Sequence, residues 1–275
     1  MMELYERASY EVSKLVTERY STSFTMSSRL FASTMRRDIY AIYGLVRIAD
    51  EIVDTYRGDD ALDLLKRLEA DTYAAIERSY DTNPVVHAFA LTAHRYGIDE
   101  SLIGPFFDSM AMDLSPIEYT PELYKTYIYG SAEVIGLMCL KVFCVDDSEM
   151  YQRLAPGARA LGSAYQKVNF LRDVAADYDE LGRLYFPGVV YENFDDTQKQ
   201  AIVDDIEGDF STARSYVEKL PANSQKAVLL STLYYGELLE KIKATPAKVL
   251  KKERVRIDGR RKLWLLASVT AGARR

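Results

Sequence analysis

The chain has 275 residues, of which 48% are hydrophobic and 28% are charged, and its formal net charge at pH 7 is −6. This profile is typical of a globular protein with a sizeable core. The acidic balance argues against general nucleic-acid binding, which normally requires a basic excess.

The start of the chain and its two cysteines indicate a cytoplasmic location. The opening stretch, MMELYERASYEVSKL, contains acidic groups and lacks the apolar segment of a secretory signal. The sequence has no run of 18 uncharged apolar residues, so we expect no membrane-spanning helix. Cys139 and Cys144 lie in the apolar stretch LMCLKVFCV, which predicts buried thiols in a reducing compartment.

Helical periodicity extends along almost the whole chain, and strand signals are nearly absent. The first strongly periodic stretch, STMRRDIYAIYGLVRIADEIVDTY, predicts a helix that is capped by Ser33 or Thr34 and ended by Gly58. Further helices are predicted at roughly 60–79, 84–95, 100–112, 121–144, 147–178, 196–218, 224–243 and 259–270. No linker or repeat divides the chain, so residues 1–275 are predicted to form a single all-α domain.

Two of the predicted helices, 121–144 and 147–178, are longer than usual. The first contains EVIGLMCLKVF, which is apolar on almost every face and therefore predicts a central position. Long central helices with others packed around them can enclose an elongated cavity, and such a cavity suits a long apolar ligand.

Two predicted helices each carry a pair of aspartates four residues apart. Asp50 and Asp54 lie in RIADEIVD, and Asp173 and Asp177 lie in NFLRDVAADYDELGRLYFP. Residues at this spacing share one helix face, where like charges repel. A cation between them removes the repulsion, and Mg²⁺ is typically held by a few carboxylates together with substrate phosphates. The pairs therefore predict a metal and diphosphate site, and the alternative is two ordinary solvated helix faces.

The neighbours of the aspartates favour the metal site. Apolar residues flank Asp50 and leave little room for a solvated surface. Gln166 and Asn169 extend the second pair into a polar stripe of two amides and two carboxylates at helical spacing. Arg47 and Arg172 stand beside the pairs, and a guanidinium donates two hydrogen bonds to phosphate oxygens.

Together these motifs resemble the squalene and phytoene synthases, which are head-to-head prenyl transferases with an all-α isoprenoid-synthase fold. The segments that carry the resemblance are YSTSF, AIYGLVRIADEIVD, YIYGSAEVIG and YQKVNFLRDVAADYDELGRLYFP. The resemblance implies Mg²⁺ as cofactor, with Mn²⁺ as an alternative ion, bound by Asp50, Asp54, Asn169, Asp173 and Asp177. The substrate-binding residues that it implies are Ser21, Arg47, Gln166, Asn169, Arg172, Arg183, Tyr185, Tyr235 and Arg254. As catalytic residues it implies Tyr43, Tyr129, Arg47 and Arg172, with Tyr43, Tyr129 and Tyr235 lining the reaction cavity.

The implied substrates are prenyl diphosphates, and no nucleic acid or obligate protein partner is expected. Squalene synthases commonly end in a membrane anchor, and none is recognised in the C-terminal tail of this sequence. We therefore expect a phytoene synthase that joins two geranylgeranyl diphosphates without NADPH. The alternative within the family is a dehydrosqualene or squalene synthase that uses two farnesyl diphosphates. A non-catalytic isoprenoid-binding module is an alternative from another class, although the four aspartates count against it. Chain elongators and terpene cyclases usually carry DDxxD, which DEIVD does not reproduce.

Two local features carry further expectations. The C-terminal stretch RRKLWLLASVTAGARR is basic and amphipathic. It predicts either a final helix packed on the protein body or a peripheral contact with an anionic membrane through Trp264, Leu265 and Leu266. Near the start of the chain, Ser28 follows Phe24 by four residues and should share its helix face. A serine there is expected to leave space in the cavity for a twenty-carbon substrate.

Overall fold

The computed structural model describes residues 2–115 and 117–272, and this part of the chain is helical, without a strand. The prediction of a single all-α domain is therefore confirmed, whereas its bounds of 1–275 stay a prediction because residues 1, 116 and 273–275 lie outside the described residues. The helices are α1 (Met2–Tyr20), α2 (Thr22–Ser28), α3 (Ser33–Asp50), α4 (Ala61–Arg78), α5 (Pro84–Tyr96), α6 (Glu100–Met112), α7 (Pro121–Ile128), α8 (Val134–Phe143), α9 (Ser148–Leu181), α10 (Asp196–Val217), α11 (Ala222–Ala244), α12 (Ala247–Leu250) and α13 (Gly259–Thr270).

The ends of α3 differ from the prediction. Ser33 already lies inside the helix, and the N-cap is Ala32, whose methyl side chain cannot make a capping hydrogen bond. At the other end α3 passes into a π-helical turn, Glu51–Thr55, and the chain becomes extended at Tyr56, before it reaches Gly58. The predicted caps at Ser33 or Thr34 and at Gly58 are therefore wrong.

The predicted helix at 121–144 is divided by a second π-helical turn, Tyr129–Glu133, between α7 and α8. The α8 side chains Val134, Met138, Leu140 and Val142 are each no more than 2% exposed, which confirms a central position. The stretch Pro121–Phe143 is long and apolar enough to cross a membrane, by length and composition only, when two charged residues are allowed. More than half of its apolar window is buried inside the protein, as in the core helix of a globular domain.

Close packing of α9 against α8 and the π-helical turn before it depends on two glycines. A Cβ on Gly136 would lie 2.6 Å from the carbonyl oxygen of Ala158, and a Cβ on Gly162 would lie 2.5 Å from that of Ala132. Both distances are too short for a side chain, so the two backbones approach more closely than any other residue would permit. This contact fixes the helix that carries Asp173 and Asp177 against the centre of the protein.

Helix α1 was not predicted, and its composition explains why. Apart from Tyr10, its buried residues are Ser9, Ser13 and Thr17 instead of large apolar residues, so the helical period of apolar side chains is missing. Each of these hydroxyls donates a hydrogen bond to the carbonyl four residues earlier, which satisfies it inside the protein. The small side chains pack α1 against α3 and α5.

The final helix, α13, packs on the protein body. Leu265 and Val269 are 3% and 5% exposed and contact a cluster that includes Leu230 and Tyr234. The prediction of a final helix packed on the protein body is therefore confirmed, and Leu265 is not available to a membrane, whereas contact of the exposed residues with a membrane stays a prediction. Leu263 and Trp264, at 60% and 39% exposure, face outward.

Candidate active site

A cavity of about 680 Å³ lies between α2, α3, α8, α9 and α11. Every site residue predicted from the sequence lines it except Tyr129. The lining residues among them are Ser21, Tyr43, Arg47, Asp50, Asp54, Gln166, Asn169, Arg172, Asp173, Asp177, Arg183, Tyr185, Tyr235 and Arg254. The rest of the wall is mainly apolar and aromatic, so charged groups and a hydrocarbon-like surface share one enclosure.

The two aspartate pairs belong to one electrostatic site. Burial raises the pKa of Asp50 to about 7, with Arg47 opposing the rise and Asp54 adding to it. Burial likewise raises the pKa of Asp177 to about 7, and the charges of Asp173 and Asp54 contribute. All four aspartates line the same cavity, and the charge of Asp54 contributes to the raised pKa of both Asp50 and Asp177.

Hard oxygen ligands with raised pKa values fit a divalent cation, which would favour their charged form. Within residues 2–115 and 117–272, however, no three His, Cys, Asp or Glu side chains converge into a ready metal site. The reason is visible at Asp54 and Asp173, whose oxygens are bound by guanidinium groups. Metal binding therefore stays a prediction, and it requires these ion pairs to rearrange.

Asp173 is held by two arginines. Arg172 donates from Nε to Oδ1 at 2.9 Å and from Nη2 to Oδ2 at 2.5 Å. Arg254 approaches the same carboxylate, with Nε 2.6 Å from Oδ1 and Nη2 3.0 Å from Oδ2. Two bidentate guanidiniums on one carboxylate place two positive charges where a diphosphate can replace the carboxylate as their partner.

Arg47, on helix α3, also has its guanidinium group in contact with other side chains of the protein. It forms an ion pair with Glu51, lies 3.6 Å from Asp50, and its guanidinium carbon sits 4.3 Å from the centre of the Tyr20 ring. Its buried Nε has no hydrogen-bond partner. Glu51 was not among the predicted site residues, although its spacing of four from Arg47 is an ion-pair signal in a helix.

A fifth carboxylate in the cavity, Asp113, was missed by the sequence analysis. Its side chain is 5% exposed and accepts hydrogen bonds from the hydroxyls of Tyr127 at 2.7 Å and Tyr185 at 3.1 Å. Burial raises the pKa of Asp113 to about 6, against the opposing charge of Arg183. The available signal was a lone aspartate between Met112 and Leu114, in an apolar segment at the end of α6.

Arg183 connects this carboxylate to the first aspartate pair. Its Nη1 donates to Asp54 at 2.6 Å, and its Nη2 donates to the carbonyl oxygens of Val53 at 2.7 Å and Asp113 at 2.9 Å. The pKa of Arg183 is raised because Asp113, Tyr185 and Asp54 outweigh its burial. The segment after α9 is thereby fixed across the polar part of the cavity.

Aromatic rings form much of the remaining wall. Tyr43 stacks on Phe24 with ring centres 5.0 Å apart, and burial raises the pKa of Tyr43 to about 12. Tyr235 stacks on Tyr165 at 3.9 Å and its hydroxyl donates to Asn169 at 3.4 Å. Ring faces of this kind attract positive charge.

Tyr129 does not line the cavity, so that expectation is wrong. Its ring lies beneath Arg159, whose guanidinium carbon is 5.3 Å from the ring centre. In this part of the chain the cavity is lined instead by Tyr127, which lies two residues earlier and is 2% exposed. The π-helical turn that begins at Tyr129 changes the direction of the side chains relative to a regular α-helix.

The position of Ser28 was also predicted incorrectly. Ser21 accepts a hydrogen bond from the Phe24 amide at 3.2 Å, starts α2 and lines the cavity. Ser28 is fully buried, but its Oγ lies 3.0 Å from both the carbonyl oxygen of Thr25 and the hydroxyl of Tyr40, outside the cavity lining. Ser27 lines the cavity instead.

Comparisons with known proteins agree with this architecture. The family model of squalene/phytoene synthase matches residues 17–261. A phytoene synthase from Pseudescherichia vulneris is 28% identical over 249 residues, which cover 82% of this chain and 79% of that protein. Phytoene synthase 1 from Zea mays is 30% identical over 253 residues, which cover 83% of this chain and 60% of that longer protein.

Among solved structures, a dehydrosqualene synthase in complex with ligand superposes with a TM-score of 0.79 at 20% sequence identity, over 97% of each chain. At this identity the likeness concerns the fold alone. The family match covers most of the chain and includes both aspartate helices and the arginines that face them. The chain belongs to the squalene/phytoene synthase family.

Proposed function

We propose that this protein joins two geranylgeranyl diphosphates head to head to form phytoene in carotenoid biosynthesis, in a Mg²⁺-dependent reaction that proceeds through a cyclopropylcarbinyl diphosphate. The single observation that carries the proposal is the joining of carboxylates and guanidiniums to an aromatic and apolar wall within one cavity. The names of the two phytoene synthase relatives support the choice of product.

The polar groups act on the diphosphate. Asp50, Asp54, Asp173 and Asp177, with Asn169, would hold the metal, which when bound neutralises the diphosphate and stabilises it as a leaving group. Arg47, Arg172 and Arg254 exchange their carboxylate partners for phosphate oxygens and orient the leaving group. The pair of electrons of the broken carbon–oxygen bond leaves with the diphosphate, so an allylic cation remains in the cavity.

The aromatic wall acts on the cation. Tyr43, with Phe24 behind it, and Tyr235, with Tyr165 behind it, present rigid ring faces and exclude water that would otherwise capture the cation. The double bond of the second substrate attacks, and loss of a proton closes the cyclopropane ring. A second ionisation then releases the remaining diphosphate, and rearrangement with loss of another proton gives the hydrocarbon. No side-chain nucleophile is required at any step.

Incubation of the purified protein with Mg²⁺ and each prenyl diphosphate, followed by identification of the hydrocarbon, tests the proposal. We expect phytoene from geranylgeranyl diphosphate without added NADPH. A product formed only from farnesyl diphosphate would instead identify a dehydrosqualene or squalene synthase. Binding of both substrates without any turnover would identify a non-catalytic isoprenoid-binding module.

We further propose a cytoplasmic enzyme that touches the membrane surface through α13. Leu263 and Trp264 project from the protein next to Arg260, and an apolar pair with a basic neighbour suits the surface of an anionic bilayer. Flotation with vesicles that contain anionic lipid should recover the protein, and Leu263→Glu should reduce the recovered fraction severalfold. Equal recovery of both proteins would exclude this contact.

A further inference from the structure

Lys262 is held in a fixed position by the first turn of α13. The hydroxyl of Tyr234, a cavity-lining residue of α11, donates to the carbonyl oxygen of Lys262 at 3.1 Å. Asp258 caps the helix by accepting from the Arg261 amide at 2.8 Å, and the Arg261 side chain forms an ion pair with Glu237. Three contacts with different partners therefore set the direction in which the Lys262 side chain leaves the helix.

The surroundings of Lys262 are basic. Its Nζ donates to the Thr22 hydroxyl at 3.2 Å, next to Ser21 in the cavity wall. Burial lowers the pKa of Lys262, and the nearby charges of Arg172 and Arg256 lower it further. In the part of the chain that the structure describes, no carboxylate forms an ion pair with Lys262 or Arg256. Arg172 is paired with Asp173, but the half-buried ammonium group of Lys262 and the guanidinium of Arg256 have no ion pair in that part of the chain, which is unfavourable unless a further anion joins them.

We propose that Lys262, together with Thr22 and Arg172, forms a diphosphate-binding subsite at the edge of the cavity, so that α13 contributes directly to the active site. This inference rests on the proposed function, because a diphosphate must reach the cavity. Arg172 turns from Asp173 to the phosphate, while Lys262 and Thr22 supply hydrogen bonds from the opposite side. The ligand is either the diphosphate group of a bound substrate or the inorganic diphosphate that the reaction releases.

Charge removal at Lys262 tests the subsite. Lys262→Gln is one atom shorter, keeps an N–H donor and removes the charge, whereas Lys262→Arg retains the charge. Arg260→Gln is the matched control, because Arg260 is exposed on the same helical turn and forms no ion pair among the described residues. For each variant, calorimetry measures the affinity for inorganic diphosphate with Mg²⁺, and steady-state kinetics measure KM and kcat with geranylgeranyl diphosphate.

We expect Lys262→Gln to weaken the binding of inorganic diphosphate by about tenfold, the usual effect of one charge-assisted hydrogen bond. Lys262→Arg should restore the affinity to within about threefold, and Arg260→Gln should leave it nearly unchanged. The thermal midpoints of the three variants should agree, which separates a loss of binding from a loss of fold.

The two sources of the ligand are distinguished by KM. A parallel rise in KM for the prenyl diphosphate means that the subsite holds the substrate, and an unchanged KM means that it holds the released diphosphate. If Lys262→Gln binds both ligands as Arg260→Gln does, the subsite does not exist while the proposed function stands. If the wild-type protein binds neither ligand in the presence of Mg²⁺, the proposed function and the subsite both fail.

Discussion

Arg254 and Asp173 form an ion pair across 81 residues of sequence, with Arg254 Nε 2.6 Å from Asp173 Oδ1. This contact occupies a carboxylate that the proposed mechanism assigns to the metal, and it occupies a guanidinium that the mechanism assigns to the diphosphate. Binding of either ligand releases a group that the other one needs. By linkage, the metal and the diphosphate must then strengthen each other's binding by the same factor.

Removal of Arg254 should change the affinity for the metal and the affinity for the diphosphate in opposite directions. In Arg254→Ala, Asp173 retains only Arg172 as partner, so the free protein should bind Mn²⁺ several times more tightly. The same variant should bind inorganic diphosphate about tenfold more weakly, because one charge-assisted contact is lost. Electron paramagnetic resonance of Mn²⁺ and calorimetry measure the two affinities. Weaker Mn²⁺ binding by the variant would contradict the competition between Arg254 and the metal.

Removal of the metal should abolish turnover, because the facing carboxylates need a cation before a diphosphate can approach them. We expect no hydrocarbon in excess EDTA, and recovery when Mg²⁺ is restored. Asp50→Ala and Asp173→Ala should each lower product formation at least about a hundredfold, with an unchanged helical circular dichroism spectrum. Asp179→Ala is the control, since Asp179 is exposed on the same helix as Asp173. Full turnover in EDTA would remove the metal from the mechanism.

The stability of the metal-free protein should depend on pH through Asp50 and Asp177. Both have a pKa of about 7 in the fold, above the value of about 4 in an unfolded chain. Between about pH 4 and pH 7 the folded protein therefore binds more protons than the unfolded chain. The contribution of these two carboxyl groups to the free energy of unfolding is fully present below about pH 4 and is lost as the pH rises to about 7. We expect the thermal midpoint to fall between about pH 5 and pH 8, and less steeply in Asp50→Asn. Mg²⁺ at about pH 8 should raise it again, and a midpoint that rises with pH without metal would refute the assignment.

Asp113 should influence metal binding through its ion pair with Arg183. Arg183 interacts with the carboxylates of both Asp113 and Asp54. Asp113→Asn retains a side chain of similar shape but removes the negative charge of Asp113. Arg183 then binds Asp54 more strongly and competes with the metal there, so the affinity for Mg²⁺ should fall several-fold and kcat with it. Asp108→Asn, on the exposed face of the same helix, is the control. Identical Mg²⁺ titrations of the two variants would show that Asp113 has no influence on the metal.

Substrate length should respond to Ser27 and not to Ser28. Ser27→Phe places a ring in the cavity and should shift the product from forty carbons toward thirty, measured by chromatography of the hydrocarbons. Ser28→Phe instead forces a ring between α2 and Tyr40, which should cost about 1–3 kcal/mol in the free energy of unfolding. A change of product with Ser28→Phe, and none with Ser27→Phe, would show that Ser28 faces the cavity, as the sequence analysis expected.

The features that the sequence predicted correctly depend on regular α-helix geometry. The spacing of Gln166, Asn169, Asp173 and Asp177 lies in the uninterrupted helix α9, and all four line the cavity. Tyr129 was assigned to the cavity by the family resemblance and not by helical spacing, and the π-helical turn that begins there directs its side chain differently from a regular α-helix.

The remaining errors concern tertiary contacts that spacing does not encode. Ser27 and Ser28 are adjacent on a helix of seven residues, and tertiary contacts such as the hydrogen bond between Ser28 and Tyr40 decide which of them faces the cavity. Asp113 has no partner nearby in sequence, because its charge is balanced by Arg183, 70 residues away. Helix α1 was missed since it is buried through hydroxyl groups, which carry no hydrophobic signal.

The contacts of Arg183 have a consequence for how the cavity opens. This residue ties together the carbonyl ends of two helices, at Val53 and Asp113, from a segment that has left-handed glycines at Gly182 and Gly188. Residues 184–190 contain no helix, whereas the amides of Gly182 and Arg183 donate to the carbonyl oxygens of Tyr178 and Asp177 at the end of α9. The segment is held by side chains, because Tyr185 and Phe186 are buried and Arg183 makes the contacts above, so the amide hydrogens of residues 184–190 should exchange with solvent sooner than those of the central helix α8. A bound ligand that holds Arg183 in place would slow that exchange, which makes the segment a natural reporter of when the cavity is filled.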